Sequence, residues 1–434
     1  MKISFIGTGY VGLVSGVMMA HIGHDVICLD TDVDKITKLK NKQAPIYEPG
    51  LDEYIAKYAN TTRLQFTHGY NEQIKDSDSV FITVGTPPKE NGDADLSGIF
   101  NALENVCKYV KPECVIVLKS TVPPGTCAAA VEFMKNKGKD IIVVSNPEFL
   151  REGNAISDFL EPDRVVIGAD NPQAFNVTRE IYKPLTDAGA AMVETDLSTS
   201  ELIKYASNTF LANKIAFINE MADLCEIVGA DITTLAKGVG LDKRIGSEFL
   251  KAGPGFGGSC FPKDILALQQ LAKKVDSNFL ILDAIINANS NRPATMLNKI
   301  ILAIGGDAQD KKITMLGLTY KAGTDDLRSS PAIDLINQLQ KLGANLVAYD
   351  PEGMVNAPKY FDSLECAVSI KEATKNSDAI IIATEWPEFI SANWDEIKTT
   401  MKTPIIIDLR NILTPHKMDS IGFKYHSIGR KNVG

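Results

Sequence analysis

The sequence predicts an α/β protein in which two doubly wound parallel sheets are joined by a central helical segment. In the first half, short apolar strands alternate with amphipathic stretches. The pattern becomes helical beyond Val193, and strand-rich sequence returns after Gly305. The 434 residues suffice for about three domains. We therefore predict Rossmann-like domains at 1–196 and 305–434, with a central helical domain at 197–304.

The strands of the first domain are short and apolar, and each pair is separated by enough chain for a crossover helix. The polar clusters 72–77 and 90–96 are predicted to be loops. The predicted strands are 2–6, 25–29, 79–84, 115–119 and 141–145.

The N-terminus contains an uncharged run from Ile3 to Ala20 that is long enough to resemble a signal peptide or a membrane span. Glycines interrupt this run, whereas the apolar core of a secretory signal is continuous. We therefore interpret it as a strand, a turn and a helix of small residues. The glycines are Gly7, Gly9, Gly12 and Gly16.

A long helix is predicted in the central domain. Ser198 and Glu201 have the spacing of a capping box, and the apolar periodicity continues to Val228, where Gly229 ends it. A helix of this length usually links domains or pairs with another subunit, although a simple spacer is an equally open alternative. Further helical pattern covers 265–304.

The C-terminal third repeats the order of the first domain. Segments 312–316 and 344–350 resemble 2–6 and 24–30, and segment 377–387 resembles 77–87. These similarities predict a second doubly wound unit that ends with a strand at 405–408. Convergent strand composition is the alternative explanation.

Composition and charge restrict the function. The chain has 45 Lys and Arg against 54 Asp and Glu, so no overall basic field exists for nucleic acid. The seven cysteines are an odd number without CxxC pairs, which favours a reducing compartment and argues against a zinc site. We therefore predict a cytoplasmic protein with no metal, no nucleic acid and no membrane among its partners.

Gly7, Gly9 and Gly12 form a GxGxxG motif between the first strand and the first helix. The glycines permit a tight turn, close approach of the backbone to a pyrophosphate, and close helix packing. Asp30 ends the second strand, where a carboxylate binds a ribose 2′-hydroxyl and repels a 2′-phosphate. The motif favours NAD over NADP, and a glycine-rich turn without a ligand is the alternative.

A second glycine cluster, 253–264, places Cys260 in a loop with Lys263 and Asp264 close by. A nucleophilic thiol needs access and nearby cations, whereas Cys28 and Cys225 lie in apolar segments typical of buried thiols. With a nicotinamide cofactor, a thiol that adds to an aldehyde permits oxidation to a thioester and then to an acid. A structural thiol is the competing interpretation.

Three other groups are candidates for the site. Lys204 and Asn208 are one helical turn apart and suit an oxyanion or a water, although a solvated surface pair is the more ordinary interpretation. Segment 146–153 follows a strand and carries two carboxylates suited to proton transfer, with an exposed acidic loop as the alternative. In the second unit, Lys321, Arg328 and Arg410 suit a phosphate, or are ordinary surface charges.

Together these motifs resemble the UDP-glucose/GDP-mannose dehydrogenase family. The resemblance covers the whole chain in order, and it implies an NAD domain, a helical dimerising domain and a UDP-binding domain. It also implies two successive oxidations of UDP-glucose to UDP-glucuronate with two NAD, and a homodimer formed through the central helix. The motifs are KISFIGTGYVGLVSG, IYEPGLDE, STVPPGT, NPEFLREG, GFGGSCFPKD and YKAGTDDLR.

The resemblance also implies roles for individual residues. Cys260 would form the thiohemiacetal and thioester, Lys204 and Asn208 would stabilise the oxyanion, and Asp264 would help to activate water. Thr121 and Glu148 would move protons through that water. Besides the three glycines, the implied cofactor contacts are Val11, Asp30, Lys35, Thr121, Glu152, Lys263 and Arg328. The implied substrate contacts are Glu148, Phe149, Leu150, Arg151, Glu152, Lys204, Asn208, Arg244, Phe249, Leu250, Lys251, Ala252, Gly253, Gly257, Lys321 and Arg410.

Two alternatives remain at this point, and the first is oxidation of GDP-mannose by a GDP-mannose 6-dehydrogenase. Phe261 and the segment 46–53 look more like the UDP-glucose branch of the family than the GDP-mannose branch, but they do not prove the base or the sugar. A non-catalytic nucleotide-sugar-binding protein is the other alternative. An intact catalytic set argues against it, because a sensor needs no nucleophile; the set is Cys260, Lys204, Asn208 and Asp264.

Overall fold

The computed structural model describes residues 1–434, which form two compact units. Unit 1 comprises 1–207 together with 266–276, and unit 2 comprises 208–265 together with 277–434. Unit 1 thus includes a segment that comes much later in the chain. The three-part division with boundaries after 196 and 304 stays a prediction.

Unit 1 is built on an eight-stranded sheet. Its strands are β1 Lys2–Ile6, β2 Asp25–Asp30, β3 Leu64–His68, β4 Ser79–Ile82, β5 Val115–Leu118, β6 Ile142–Ser145, β7 Arg164–Gly168 and β8 Ala191–Thr195. Their order is β3-β2-β1-β4-β5-β6-β7-β8, and every neighbouring pair is parallel except β6 with β7. The strand order reverses at β1, which is where open α/β sheets bind ligands.

Both faces of this sheet are buried. Phe5 and Phe81 belong to one apolar cluster, whereas Ile6 and Ile82 belong to a second one, because successive side chains of a strand point to opposite faces. The helices of the unit are α1 Tyr10–His21, α2 Val33–Lys40, α3 Leu51–Tyr58, α4 Ser97–Val106, α5 Thr126–Lys135, α6 Ala155–Leu160 and α7 Pro172–Asp187.

The long helix α8 spans Leu197–Val228, but the predicted capping box is wrong. Asp196 caps this helix, since its Oδ1 accepts the N–H of Thr199 at 2.8 Å. The Glu201 carboxylate instead accepts the N–H groups of Gly125 and Cys127 at 2.6 and 2.7 Å. Glu201 thus caps α5, a helix that lies much earlier in the chain.

Unit 2 contains a six-stranded parallel sheet. Its strands are β9 Lys312–Leu316, β10 Asn345–Tyr349, β11 Glu365–Cys366, β12 Ala379–Ile382, β13 Ile405–Asp408 and β14 Lys424–Ser427, in the order β11-β10-β9-β12-β13-β14. The later helices of the chain are α9 Ile232–Gly240, α10 Phe261–Lys274, α11 Leu280–Ala303, α12 Pro331–Lys341, α13 Ile370–Thr374, α14 Pro387–Ser391, α15 Trp394–Thr400 and α16 Pro415–Ile421.

The internal repeat extends to individual hydrogen bonds. In unit 1 the hydroxyls of Ser4 and Ser77 are 2.7 Å apart, and in unit 2 the hydroxyls of Thr314 and Ser377 are 2.6 Å apart. Both pairs join the first strand of a sheet to the turn that precedes its neighbour. The two sheets also share the central strand order, so the similarity of their sequences reflects a similar fold.

Several strands were not predicted. β3, β7 and β8 extend the first sheet, and β14 follows the strand that was expected to be last. β8 is largely exposed at a sheet edge, and β11 has only two residues, so both lack the continuous apolar pattern on which the prediction depended. Segment 72–77, predicted as a loop, contains one short 3₁₀ turn at Glu72–Ile74. None of the helices combines the length and apolar character that crossing a membrane requires.

Candidate active site

The GxGxxG turn of unit 1 leads directly from β1 into α1. Gly7 has φ +99°, a conformation that favours glycine. A Cβ at Gly12 would lie 2.0 Å from the carbonyl oxygen of Gly7 and 2.3 Å from Thr83 Oγ1. A Cβ at Gly9 would meet no atom within 4 Å, so the backbone there faces open space. The turn therefore leaves a cradle that a dinucleotide phosphate could enter.

Asp30 is half-buried at the end of β2. Its Oδ2 accepts the N–H and the hydroxyl of Thr8 at 2.7 and 2.8 Å, and its Oδ1 accepts the N–H of Asp32 at 3.0 Å. Burial acts to raise the pKa of Asp30, but these hydrogen bonds and the charge of Lys35 outweigh it, so the pKa is lowered. An ionised carboxylate beside an open glycine cradle fits the ribose and phosphate of NAD.

The other predicted cofactor residues are divided between the two units. Thr121 and Glu152 are buried in unit 1, where the Thr121 carbonyl accepts the hydroxyl of Thr86 at 3.0 Å. Lys263 and Arg328 belong to unit 2. The remaining members lie in the first two helices of unit 1, with Val11 in α1 and Lys35 in α2.

Glu148 and Lys204 form a buried ion pair within unit 1. Lys204 Nζ lies 3.1 Å from Glu148 Oε1, and the two side chains are 5% and 4% exposed. Burial alone would raise the pKa of Glu148, but Lys204 and the N–H of Leu150 lower it. Lys204 Nζ also lies 5.2 Å from the ring centre of Phe149. Lys204 is therefore a buried charge, and interpreting it as a solvated surface residue is wrong.

A second buried lysine, Lys119, was not among the predicted residues. Its Nζ donates to Asn146 Oδ1 at 3.1 Å and lies 3.4 Å from Tyr182 Oη. Burial is the main reason that the pKa of Lys119 is lowered to about 8. A cavity of about 40 Å³ borders Lys119, Glu148 and Tyr182, which is room for a water. The only signal in the sequence was a lysine at the end of an apolar strand, and nothing local identified Tyr182.

Glu48 was also missed, although it lies in one of the recognised motifs. Its two carboxylate oxygens accept the N–H groups of Gly153 and Ala155 at 2.6 and 2.7 Å, at the start of α6. The hydroxyl of Tyr10 also accepts the Gly153 N–H, at 2.7 Å. Glu48 therefore fixes the end of the segment that carries Glu148 and Glu152. A contact across 105 residues has no local signature.

In unit 2 the loop that carries the predicted nucleophile Cys260 comprises residues 253–260, and we call it the nucleophile loop. It packs closely against the 317–330 loop. A Cβ at Gly257 would lie 2.1 Å from the carbonyl oxygen of Ser329, and one at Gly258 would lie 2.8 Å from the ring of Tyr320. The Gly258 N–H donates to the carbonyl of Arg328 at 2.8 Å. These glycines are thus required for the two loops to approach each other.

Cys260 lies immediately before α10 and is partly exposed. Its Sγ is 3.5 Å from Ser259 Oγ, and its carbonyl accepts the N–H of Asp264 at 3.0 Å. A helix N-terminus favours a thiolate, because free N–H groups there stabilise negative charge. Cys28 and Cys225, which were expected to be buried, are so, as are Cys107, Cys114 and Cys127, whereas Cys366 is exposed.

Asp264 connects two other predicted residues of unit 2. Its Oδ2 accepts the Nδ2 of Asn208 at 2.6 Å, and its Oδ1 pairs with Lys263. Asp264 is only 1% exposed, whereas Cys260 is partly exposed. The arrangement combines an accessible thiol with an oriented carboxylate and amide one helical turn away, which suits covalent catalysis with a bound water.

The predicted substrate residues of unit 2 occupy different environments. Arg410 donates to the carbonyls of Ala383 and Tyr320 at 2.7 and 2.8 Å, and Lys321 lies near the Tyr320 ring. Arg244 is exposed and pairs with Asp242 in the same loop. Just before the nucleophile loop, Phe249 has φ +63°. Of Leu250, Lys251, Ala252 and Gly253, the last of which begins the loop, only Lys251 is exposed.

In unit 1 the predicted substrate segment runs along the buried ion pair. Phe149 lies against Lys204 and also stacks on Arg164, whose guanidinium carbon is 3.7 Å from its ring centre. Leu150 donates its N–H to Glu148 at 2.6 Å, and Arg151 is exposed and pairs with Asp158.

Comparison with known proteins identifies three consecutive matches to one family. Residues 1–186 match the NAD binding domain of the UDP-glucose/GDP-mannose dehydrogenase family, 198–291 match its central domain, and 314–415 match its UDP binding domain. A UDP-glucose 6-dehydrogenase from Rickettsia bellii is 54% identical, over 99% of this chain and 100% of the relative. One from Rhizobium meliloti is 50% identical over 99% and 100%. A UDP-glucose dehydrogenase structure from Pyrobaculum islandicum has a TM-score of 0.90 at 33% identity, covering 99% of this chain and 98% of that one.

Proposed function

This chain belongs to the UDP-glucose/GDP-mannose dehydrogenase family, and we propose that it oxidises UDP-glucose to UDP-glucuronate, consuming two NAD per sugar. The observation that carries the proposal is the partly exposed thiol of Cys260 at the start of α10, one turn before Asp264. Oxidation of an alcohol to a ketone needs no nucleophile, whereas oxidation up to a carboxylate does. The relatives named above support UDP-glucose as the sugar nucleotide.

The first oxidation converts the primary alcohol of the sugar to an aldehyde. When bound, NAD supplies the hydride acceptor for both oxidations. The turn formed by Gly7, Gly9 and Gly12 would hold the pyrophosphate of NAD, and Asp30 would bind a ribose hydroxyl. We assign removal of the alcohol proton to a bound water that passes it towards Thr121 and Glu148.

Cys260 acts after the aldehyde has formed. Its thiolate adds to the aldehyde carbon, forming a C–S bond and an oxyanion that Lys204 and Asn208 stabilise. Loss of a hydride from that carbon restores the carbonyl group and leaves a thioester. Covalent attachment thus retains the aldehyde and prepares the second oxidation.

Hydrolysis then releases the product. Water adds to the thioester carbonyl, the C–S bond breaks, and the thiol of Cys260 is regenerated together with the carboxylic acid. We assign activation of this water to Asp264, which Asn208 orients through the 2.6 Å hydrogen bond. Lys321 and Arg410 are proposed to hold the phosphate groups of the nucleotide, as cations on loops after strands.

The experiment that tests the proposal measures NADH against sugar consumed. We expect two NADH per UDP-glucose and release of UDP-glucuronate. One NADH per sugar, or faster turnover of GDP-mannose, would overturn the assignment. Cys260→Ala should abolish formation of the acid while NAD still binds, whereas Cys366→Ala, which removes the exposed thiol, should leave activity unchanged.

We further propose that the protein is a homodimer formed through α8. Phe210, Phe217 and Leu224 follow one another at seven-residue intervals on this helix and are 65%, 49% and 47% exposed. Such a stripe of large apolar side chains suits a second copy of the chain. The proposal includes a cytoplasmic location, which the odd number of scattered cysteines supports.

Sedimentation velocity tests the dimer. Phe217→Lys should shift the protein towards the monomer, because a charge in a buried apolar interface is costly. Val355→Lys, at an exposed apolar residue outside α8, is the matched control and should leave sedimentation unchanged. A wild-type monomer at micromolar concentration would exclude this interface.

A further inference from the structure

The nucleophile loop is held by side chains from two helices of unit 2. Asn219 of α8 accepts the N–H of Gly253 at 2.8 Å, and Arg292 Nε of α11 donates to the Gly253 carbonyl at 3.0 Å. Arg292 is itself anchored, because its Nη1 lies 2.6 and 2.7 Å from the two carboxylate oxygens of Asp223. The start of the loop is therefore fixed on both backbone groups of one residue.

Asn289 of α11 holds the middle of the loop in the same way. Its Oδ1 accepts the N–H of Phe256 at 2.8 Å, and its Nδ2 donates to the Phe256 carbonyl at 3.1 Å. A primary amide is suited to this pairing, because it offers a donor and an acceptor side by side. Phe256 lies four residues before Cys260, so this contact fixes the loop close to the thiol.

Gly255 lets the loop pass close to Asn289. A Cβ at Gly255 would lie 3.1 Å from Asn289 Oδ1, and Gly255 has φ +118°. Beyond Phe256, Gly257 and Gly258 contact the 317–330 loop at the distances given above. A segment this rich in glycine loses much conformational entropy when ordered, so fixed contacts on both sides are needed to hold it in one conformation.

We propose that Asn289 is a positioning residue for Cys260. By holding both backbone groups of Phe256, it sets where the loop delivers the thiol, without contacting the reacting atoms. The inference rests on the proposed function, in which Cys260 is needed only from the aldehyde onwards. Loss of Asn289 should therefore slow the second oxidation and spare the first.

The test compares three variants in single-turnover reactions with UDP-glucose and excess NAD. Asn289→Leu removes both hydrogen bonds at similar size, Asn289→Asp keeps the acceptor and loses the donor, and Asn291→Leu changes an exposed residue of the same helix. We expect the second NADH to form about 100-fold more slowly in Asn289→Leu, with a smaller effect in Asn289→Asp. The rate constant for the first NADH should stay within about twofold of wild type in both Asn289 variants, as should both rate constants in Asn291→Leu.

Hydrogen exchange provides a readout that does not depend on the sugar. Amide exchange in 253–260 should accelerate about tenfold in Asn289→Leu and stay unchanged in Asn291→Leu. If the second NADH or the exchange is unaffected, or if both oxidations slow equally, the proposal is wrong. If Asn289→Leu does not fold, Asn289→Asp decides the same question. Failure of the wild type to make two NADH would contradict the proposed function, not the loop contact.

Discussion

The two sheets each carry an aspartate where the second strand ends, but they use it differently. In unit 1, Asp30 is half-buried and accepts three hydrogen bonds from two residues. In unit 2, Asp350 is fully buried. Its six donors are the N–H groups of Leu318, Thr319, Glu352 and Gly353, the Thr319 hydroxyl and Trp386 Nε1. The same residue type at the same position is thus fully buried in a network of six donors in unit 2, whereas in unit 1 it stays half-exposed, where we propose that it binds the cofactor.

The turn after β1 is open, whereas the turn after β9 is filled by side chains. Gly7 and Gly317 occupy matching places with φ +99° and +98°, but Gly9 in unit 1 corresponds to Thr319 in unit 2. A Cβ at Gly9 would meet open space, whereas Thr319 is 1% exposed and bonded to Asp350. The comparison teaches that the same strand-turn-strand framework leaves open space beside Gly9 in unit 1, whereas in unit 2 the equivalent place is filled by a side chain bonded to Asp350.

A third difference concerns the residue that follows β5 in unit 1 and β13 in unit 2. The N–H groups of Lys119 and Leu409 donate to the carbonyls of Ile82 and Ile382, both at 3.0 Å, so the two residues are equivalent. Unit 1 buries a cation at this position and unit 2 buries a leucine. The cation lies within the network beside Glu148 and Lys204.

The largest expected effect is on the free energy of unfolding, and it should differ between variants of Asp350 and Asp30. Asp350→Ala should lower the free energy of unfolding by about 4 kcal/mol, because it leaves several buried donors without an acceptor. Asp30→Ala, as the matched variant, should lower it by about 1 kcal/mol. Urea unfolding measures both, and equal losses would contradict the comparison.

The next effect depends on pH and tests the buried cation. Lys119→Leu copies the residue of unit 2. Because the folded pKa of Lys119 is lowered to about 8 from an ordinary 10.5, the folded state binds fewer protons than the unfolded state between these values. Wild-type stability relative to Lys119→Leu should therefore rise with pH, by up to about 3 kcal/mol between pH 8 and 10.5. A difference in unfolding free energy that is independent of pH would show that Lys119 is not desolvated.

The third prediction concerns Gly9→Thr, which gives the cofactor turn of unit 1 the residue found at the matching place in unit 2. Gly9→Thr should be accommodated by the fold, since the backbone there is extended with φ −71° and the space is open. The new side chain fills the cradle, so NAD affinity should fall about 100-fold. Calorimetric titration measures the affinity, and a thermal midpoint within about 1 °C of wild type is the control. Unchanged NAD binding would place the cofactor elsewhere.

The smallest effect concerns the choice of cofactor. Asp30→Ala should weaken NAD binding about tenfold by removing an acceptor for the ribose hydroxyl. The affinity for NADP should fall less, because the substitution also removes the negative charge that repels a 2′-phosphate. The dissociation constant for NADP divided by that for NAD should therefore fall. A ratio equal to that of wild type would exclude Asp30 from cofactor selection.

The parts of the molecule that were predictable depend on local sequence. The tight turn at Gly7 and the close packing at Gly12 follow from a motif whose strand, turn and helix are contiguous, and the place of Cys260 in a glycine-rich loop follows from its neighbours in the chain. Long-range partners were not predictable. Glu201 has the spacing of a cap for its own helix, yet it caps α5, because Asp196 already caps α8. Burial of Lys119 likewise depends on Tyr182, which lies 63 residues away.

The cap that Glu201 provides has a consequence for synthesis of the chain on the ribosome. The first N–H groups of α5 emerge 74 to 76 residues before the carboxylate that satisfies them. Unit 1 also includes 266–276, which are made later still. The start of α5 therefore lacks its cap until Glu201 has been translated, and unit 1 stays incomplete until residue 276 has been translated. A fragment that stops at residue 196 would lack both elements, and it should be retained by chaperones instead of folding as an independent cofactor-binding domain.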